Sequence, residues 1–312
     1  MATTSGTTAF NLDLNEMFEE AYERAGLEIR TGYEFRTARR SLNMLTIEWA
    51  NRGINLWTIE QGQIVLNTGQ GVYALPNDTI DLLDQVIRTQ ASTLNQIDIN
   101  VSRISESTYS TLPNKLAQGR PIQIWVNRQT AHNYLSGSLV AETILSTDTT
   151  ITLDTTNGLP ATGFITIGAE TIYYANVSGN QLLNCSRGQY NGSTNTTAAG
   201  HAIGATVTVN NLTSINLWPT PNAPGDQYTF VYWRMRRIQD AGTGVTIQDI
   251  PFRLIPCMVA GLAYYIGSKR PEVPMERIAM LKANYEEQWM LASQEDRDKA
   301  PDRFVPRQMF YR

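Results

Sequence analysis

Apolar positions recur at three- and four-residue steps near both ends of the chain and at two-residue steps between them, so the pattern reads helix, strand, helix. Leu14, Met17, Phe18, Ala21, Tyr22 and Ala25 form one stripe. Asp13 with Glu16 three residues on supplies a capping-box start, and Gly26 a stop. A second helix is expected from about Glu34 to Arg52, with Phe35, Ala38, Leu42, Leu45 and Trp49 on one face and Gly53 at its end. Together they predict a helical hairpin. Leu254, Ile255, Met258, Val259, Leu262, Ala263 and Ile266 mark a third helix that is apolar on most sides, hence central. After Pro271 and Pro274 a fourth carries Ile278, Leu281, Tyr285, Trp289 and Ala292 as a stripe.

Between the helical ends the texture is that of short strands. Ile64, Leu66, Val72 and Tyr73 alternate among glycines, Ile122 to Val126 is a strand opened by Pro121, and Ile215 to Trp218 and Tyr228 to Trp233 are two more. Asn100 to Thr111 suggests a helical turn. For Leu82 to Arg88 the period does not decide between strand and helix. Leu139 to Asn210 differs in kind. It holds one basic residue, Arg187, against the acids Glu142, Asp148, Asp154 and Glu170, and its β-branched runs (Thr150 to Leu153, Phe164 to Ile167, Thr171 to Tyr174, Thr206 to Val209) are separated by turn residues. This predicts a small all-β domain inserted between the strands at Ile122 and Ile215, which would pair as a hairpin without it. Past Ala300 the prolines Pro301 and Pro306 disfavour helix, and the chain is expected to be an extended arm. The expected fold class is therefore α+β: a helical bundle with a β portion (1–138 and 211–300), an inserted β domain (139–210) and a C-terminal arm (301–312).

Composition narrows the function. With 42% hydrophobic and 17% charged residues the chain is globular, and its net charge of −4 gives no footprint for tight binding to a phosphate backbone. Cys185 and Cys257 fall in different expected domains, so each is read as a buried free thiol. The N-terminus shows no secretory signal. The longest apolar stretch, Leu254 to Gly267, is too short to cross a bilayer, and no membrane association is expected. Asn176, Asn191 and Asn195 head glycosylation-type triplets that mark polar loops.

Chemistry is hard to find. His132 and His201 each stand alone without metal-ligand spacing, Gly242-Thr243-Gly244 reads as a turn, and the pairs Glu286–Glu287 and Glu295–Asp296 read as solvated charge. No catalytic residue, cofactor or metal is expected. Arg36, Arg39 and Arg40 mark a basic face on the second helix, a candidate for a solvated face, for salt bridges to a neighbouring subunit or for contact with DNA. In the arm, Phe304, Val305, Met309, Phe310 and Tyr311 are apolar anchors, and Arg303, Arg307 and Arg312 are charges able to pair with an acidic groove.

These residues add up to a resemblance. Glu20-Ala21-Tyr22-Glu23-Arg24-Ala25-Gly26, Ala38-Arg39-Arg40-Ser41-Leu42-Asn43 and Trp49-Ala50-Asn51-Arg52-Gly53-Ile54-Asn55-Leu56-Trp57 resemble the head-to-tail adaptor (connector, or DNA-stabilisation) proteins of short-tailed bacteriophages. Gly119-Arg120-Pro121, Asn127-Arg128-Gln129, Leu217-Trp218-Pro219-Thr220-Pro221 and Tyr285-Glu286-Glu287-Gln288-Trp289 with Glu295-Asp296-Arg297 are similar to later landmarks of that family. The inserted segment, through Gly163 to Glu170, Ser186-Arg187-Gly188 and Ala199 to Ala205, is similar to a small β domain recurring in phage tail proteins. The resemblance implies a virion neck protein, assembled in the host cytoplasm. It implies a ring of about twelve copies below the portal protein and above the tail nozzle protein, with double-stranded DNA passing through and tail fibres or tailspikes as further partners. The rival reading is a peripheral tail component that binds or hydrolyses host-surface carbohydrate through the inserted domain.

Overall fold

The computed structural model describes residues 10–54, 56–91, 93–129, 133–223, 227–242 and 245–296. The fold is α+β. Helices α1 (Leu14–Ala25) and α2 (Gly32–Arg52) come first, then strands interrupted by the short helix α3 (Glu106–Ser110), and lastly helices α4 (Ile255–Gly267) and α5 (Met275–Glu295). The chain divides into two compact units. One is formed by the segments up to Ile59 and from Arg237 onward, the other by Glu60–Arg236.

In the helical unit each helix starts and stops where local chemistry dictates. Asp13 accepts from the Glu16 amide at 2.9 Å while the Glu16 carboxylate takes the Asp13 amide, and Gly26, at φ 77°, closes α1 in a left-handed conformation that a side chain would strain. Helix α2 begins at Gly32, ahead of the expected Glu34, because Glu34 itself reaches back to the amides of Arg30 and Thr31. Leu14, Met17, Phe18, Tyr22, Leu42, Leu45 and Trp49 share one core with Met258, Leu262, Ile266, Leu281 and Tyr285. Helix α4 is buried on nearly all sides, and Gly261 lets Leu45 and Tyr285 press against its backbone.

The other unit contains four-stranded sheets. Strands β1 (Ile59–Val65), β3 (Thr79–Thr89), β4 (Ile97–Asn100) and β17 (Tyr228–Arg236) form one, in the order β1-β17-β3-β4. Leu82 to Arg88 is thus strand, and its long pairing with β17 settles what the period left open. Strands β2 (Val72–Ala74), β5 (Ser102–Arg103), β7 (Gln123–Asn127) and β15 (Ser214–Trp218) form a second, ordered β2-β15-β7-β5. Here β7 and β15 pair antiparallel with Asn127 opposite Ser214 and Trp218 opposite Gln123. Leu66, Tyr73, Leu82, Ile87, Ile124, Ile215, Leu217 and Phe230 make the core of this β portion. The short β6 (Gln118–Gly119) pairs in parallel with β16 (Thr220–Pro221).

Between β7 and β15 the chain builds a separate core from Val140, Ile144, Ile151, Leu153, Ile165, Ile167, Ile172, Tyr174, Leu182 and Val207. Its main sheet contains β8 (Tyr134–Leu139), β10 (Gly163–Ile167), β11 (Glu170–Tyr174) and β14 (Thr206–Asn210), ordered β11-β10-β14-β8. A smaller one contains β9 (Ile151–Thr152), β12 (Asn176–Ser178) and β13 (Gln181–Leu183). The regular structure begins at Tyr134, before the expected Leu139. Serines rather than apolar residues face inward from β8, so no alternation announces it, and the Ser136 hydroxyl donates to the Val207 carbonyl at 2.7 Å. A small apolar seam of Ala74, Phe164, Tyr173 and Leu212 ties this domain to the β portion.

Candidate functional site

The expected basic face lies on α2, where Arg36, Arg39 and Arg40 are all exposed, but the three do not act as one patch. Arg39 Nε donates to the Ala241 carbonyl at 3.0 Å and so braces a loop of its own unit. Arg40 instead borders a hollow of about 480 Å³ together with Tyr33, Thr37, Met44, Lys269, Arg270 and Pro271. Lys269 Nζ donates to Ser41 Oγ at 2.8 Å; partial burial, then the nearby Arg40 charge, lower its pKa. Arg270 pairs with Glu34 at 3.1 Å and lies over the Tyr22 ring. Among the described residues no carboxylate lines the hollow itself, which is therefore cationic. Lys269 and Arg270 were missed in the sequence because they sit far from α2 in the chain. Their place just after α4, where a helix end favours positive charge, was the available signal. The arm residues Arg303, Phe304, Val305, Arg307, Met309, Phe310, Tyr311 and Arg312 lie outside the described residues.

The inserted domain contains the most concentrated buried charge among the described residues. Glu170, 1% exposed, receives Arg187 in a two-pronged pair (Nε to Oε1 2.8 Å, Nη2 to Oε2 2.7 Å), the amides of Gly188 and Ala199, and His201 Nε2 at 2.7 Å. Arg187 in turn donates to the carbonyls of Leu145 and Ala199. Burial alone would raise the Glu170 pKa; Arg187, the two amides and His201 outweigh it and hold the carboxyl down at about 2. A carboxylate with every lone pair engaged is a poor general acid or base. It acts as a staple that fixes three loops onto the sheet. His201, read in the sequence as solitary, belongs to this staple. The runs Gly163 to Glu170, Ser186-Arg187-Gly188 and Ala199 to Ala205 thus meet at this one carboxylate.

Burial pushes both thiols, Cys185 and Cys257, up to about 12, which leaves them protonated at neutral pH. Among the described residues no group of His, Cys, Asp and Glu has metal-binding geometry, and no helix is long and apolar enough to cross a membrane. Glu286 is tied to Arg52 at 2.9 Å, and Asp296 accepts from the Leu56 amide. His132, Thr243 and Gly244 lie outside the described residues. No protein-family model matches this chain, and no curated protein matches it either.

Proposed function

We propose that the protein is a head-to-tail adaptor of a short-tailed bacteriophage, a non-enzymatic ring subunit seated between portal and tail nozzle. One observation carries the reading: the scattered sequence landmarks of that family meet in space in pairs. Trp49 Nε1 donates to the Tyr285 hydroxyl at 3.2 Å, Trp49 and Trp289 meet edge to face at 5.9 Å, and Arg52 pairs with both Glu48 and Glu286. In the β portion, Pro221 of one landmark run pairs with Gly119 of another. Residues that are landmarks because they hold two distant segments together are expected to sit this way.

On this reading the four long helices are the rigid bundle that packs against neighbouring copies. The hollow beside Arg40 and Lys269, with Arg36 nearby on the same helix, faces either a neighbour or the DNA channel. A net charge of −4 suits a conduit that lets phosphate pass without holding it. The inserted domain is an outer module, and residues 301–312 are the arm that engages the portal. Electron microscopy of virions with the protein labelled tests the assignment against the rival tail-peripheral reading. Label on a ring at the neck, in about twelve copies, is expected. A few copies at the tail periphery would refute it.

A further inference from the structure

We infer that a cavity on the outer face of the β2-β15-β7-β5 sheet binds a neutral sugar ring; the inference stands whether or not the chain is an adaptor. Ile124, Val126, Ile215 and Leu217 enter the core of the β portion, so the alternate residues of the same strands, Trp125, Asn127 and Asn216, occupy the opposite face. The inserted domain roofs part of that face and leaves a cavity of about 200 Å³. That is below the ~300–1,000 Å³ of sites that enclose a drug-sized ligand, and it suits a single ring whose remainder stays outside.

The lining selects the ligand. Five residues with amide side chains line it, Asn127, Gln129, Asn210, Asn211 and Asn216, and no ionisable residue is among the described lining residues. Amides offer both donors and acceptors, the complement of vicinal hydroxyl groups. Asn210 is only 6% exposed; its amide nitrogen bonds Thr166, while its Oδ1 has no partner among the described residues. Trp125 supplies the apolar platform. Its half-buried indole is stacked with Tyr109 at 5.2 Å between centroids and 27° between planes, which fixes its orientation beside the amides. A nucleotide would also use stacking and amides, but it needs cations for its phosphate, and none lines the cavity. A charged sugar lacks a counter-ion for the same reason.

Saturation-transfer NMR on the full-length protein tests this with the methyl glycosides of glucose, galactose, mannose and N-acetylglucosamine, with neutral polysaccharides, and with glucuronate, N-acetylneuraminate and adenosine monophosphate. At least one neutral glycoside is expected to receive saturation at its ring protons with weak, millimolar affinity. Trp125→Ala should reduce that binding by about tenfold or more. Because the tryptophan also packs on Tyr109, Asn127→Ala serves as a milder variant that keeps the aromatic pair and should weaken binding in the same direction. Gln63→Ala, on strand β1 and not among the residues that line the cavity, should change nothing. Tighter binding of a polysaccharide than of its monosaccharide glycoside would identify the ligand as a glycan chain, and equal binding as a free sugar. Silence from every neutral sugar, preference for the charged probes, or a signal indifferent to both Trp125→Ala and Asn127→Ala would overturn the inference.

Discussion

Glu170 shows how one residue organises its surroundings. Its carboxylate is buried and fully bonded, so replacing it strands Arg187, itself 7% exposed on its side chain. Removing one partner of a buried pair costs about 3–5 kcal/mol, and Glu170→Gln is expected to destabilise the inserted domain by that order. Hydrogen exchange of β10 and β11 should rise while exchange in α4 stays unchanged. The same group gives a pH dependence of known sign. Its folded pKa is depressed to about 2 from an ordinary 4.5, so its contribution is complete above 4.5 and is lost as pH falls from there toward 2. Protection of β10 and β11 should decline across that acid window in the natural protein. In Glu170→Gln this part of the acid dependence should be missing; an identical profile for the two would contradict the staple.

At the scale of elements, α4 is the piece on which the helical unit depends. A methyl group on Gly261 would lie 2.8 Å from the Tyr285 ring and 2.9 Å from Leu45. Overpacking of a filled core costs about 1–3 kcal/mol, so Gly261→Ala should lower the midpoint of helical unfolding followed by circular dichroism. The inserted segment makes the opposite case. Its ends leave two strands already paired, Asn127 opposite Ser214, so replacing residues 134–210 with a short Gly-Ser linker costs little closure entropy. It uncovers Ala74 and Leu212 but removes nothing from the helical core. The helical circular dichroism signal should survive, and its loss would show that the segment supports the main fold.

The contrast between these elements explains what could be read from the sequence. The Asp13–Glu16 start and the Gly26 stop were readable because helix caps are local chemistry within three residues. The β7–β15 pairing was readable because the intervening segment changes composition. Strand β8 was not, since its inward serines carry no apolar period, and neither was the staple, whose members lie 17 and 31 residues apart. The split of the basic face was equally hidden. Arg39 and Arg40 are neighbours in sequence, yet one is bound to Ala241 and the other borders Lys269 only through tertiary packing.

At the scale of the whole molecule, we propose a subunit made for assembly. Among the described residues its buried charges are consumed in pairs, its thiols are buried, and its long helices carry exposed Met44, Ile47, Met280 and Met290, where neighbouring copies would cover them. If residues 301–312 anchor the portal, a chain ending at Ala300 should bind it about tenfold more weakly or worse. Equal affinity would remove the arm from the account without touching the ring. The ring itself is tested most directly by mass photometry of the portal saturated with this protein. The mass is expected to rise by about twelve subunits, each of 34.9 kDa; a rise of only one to three subunits at saturation would contradict the assignment.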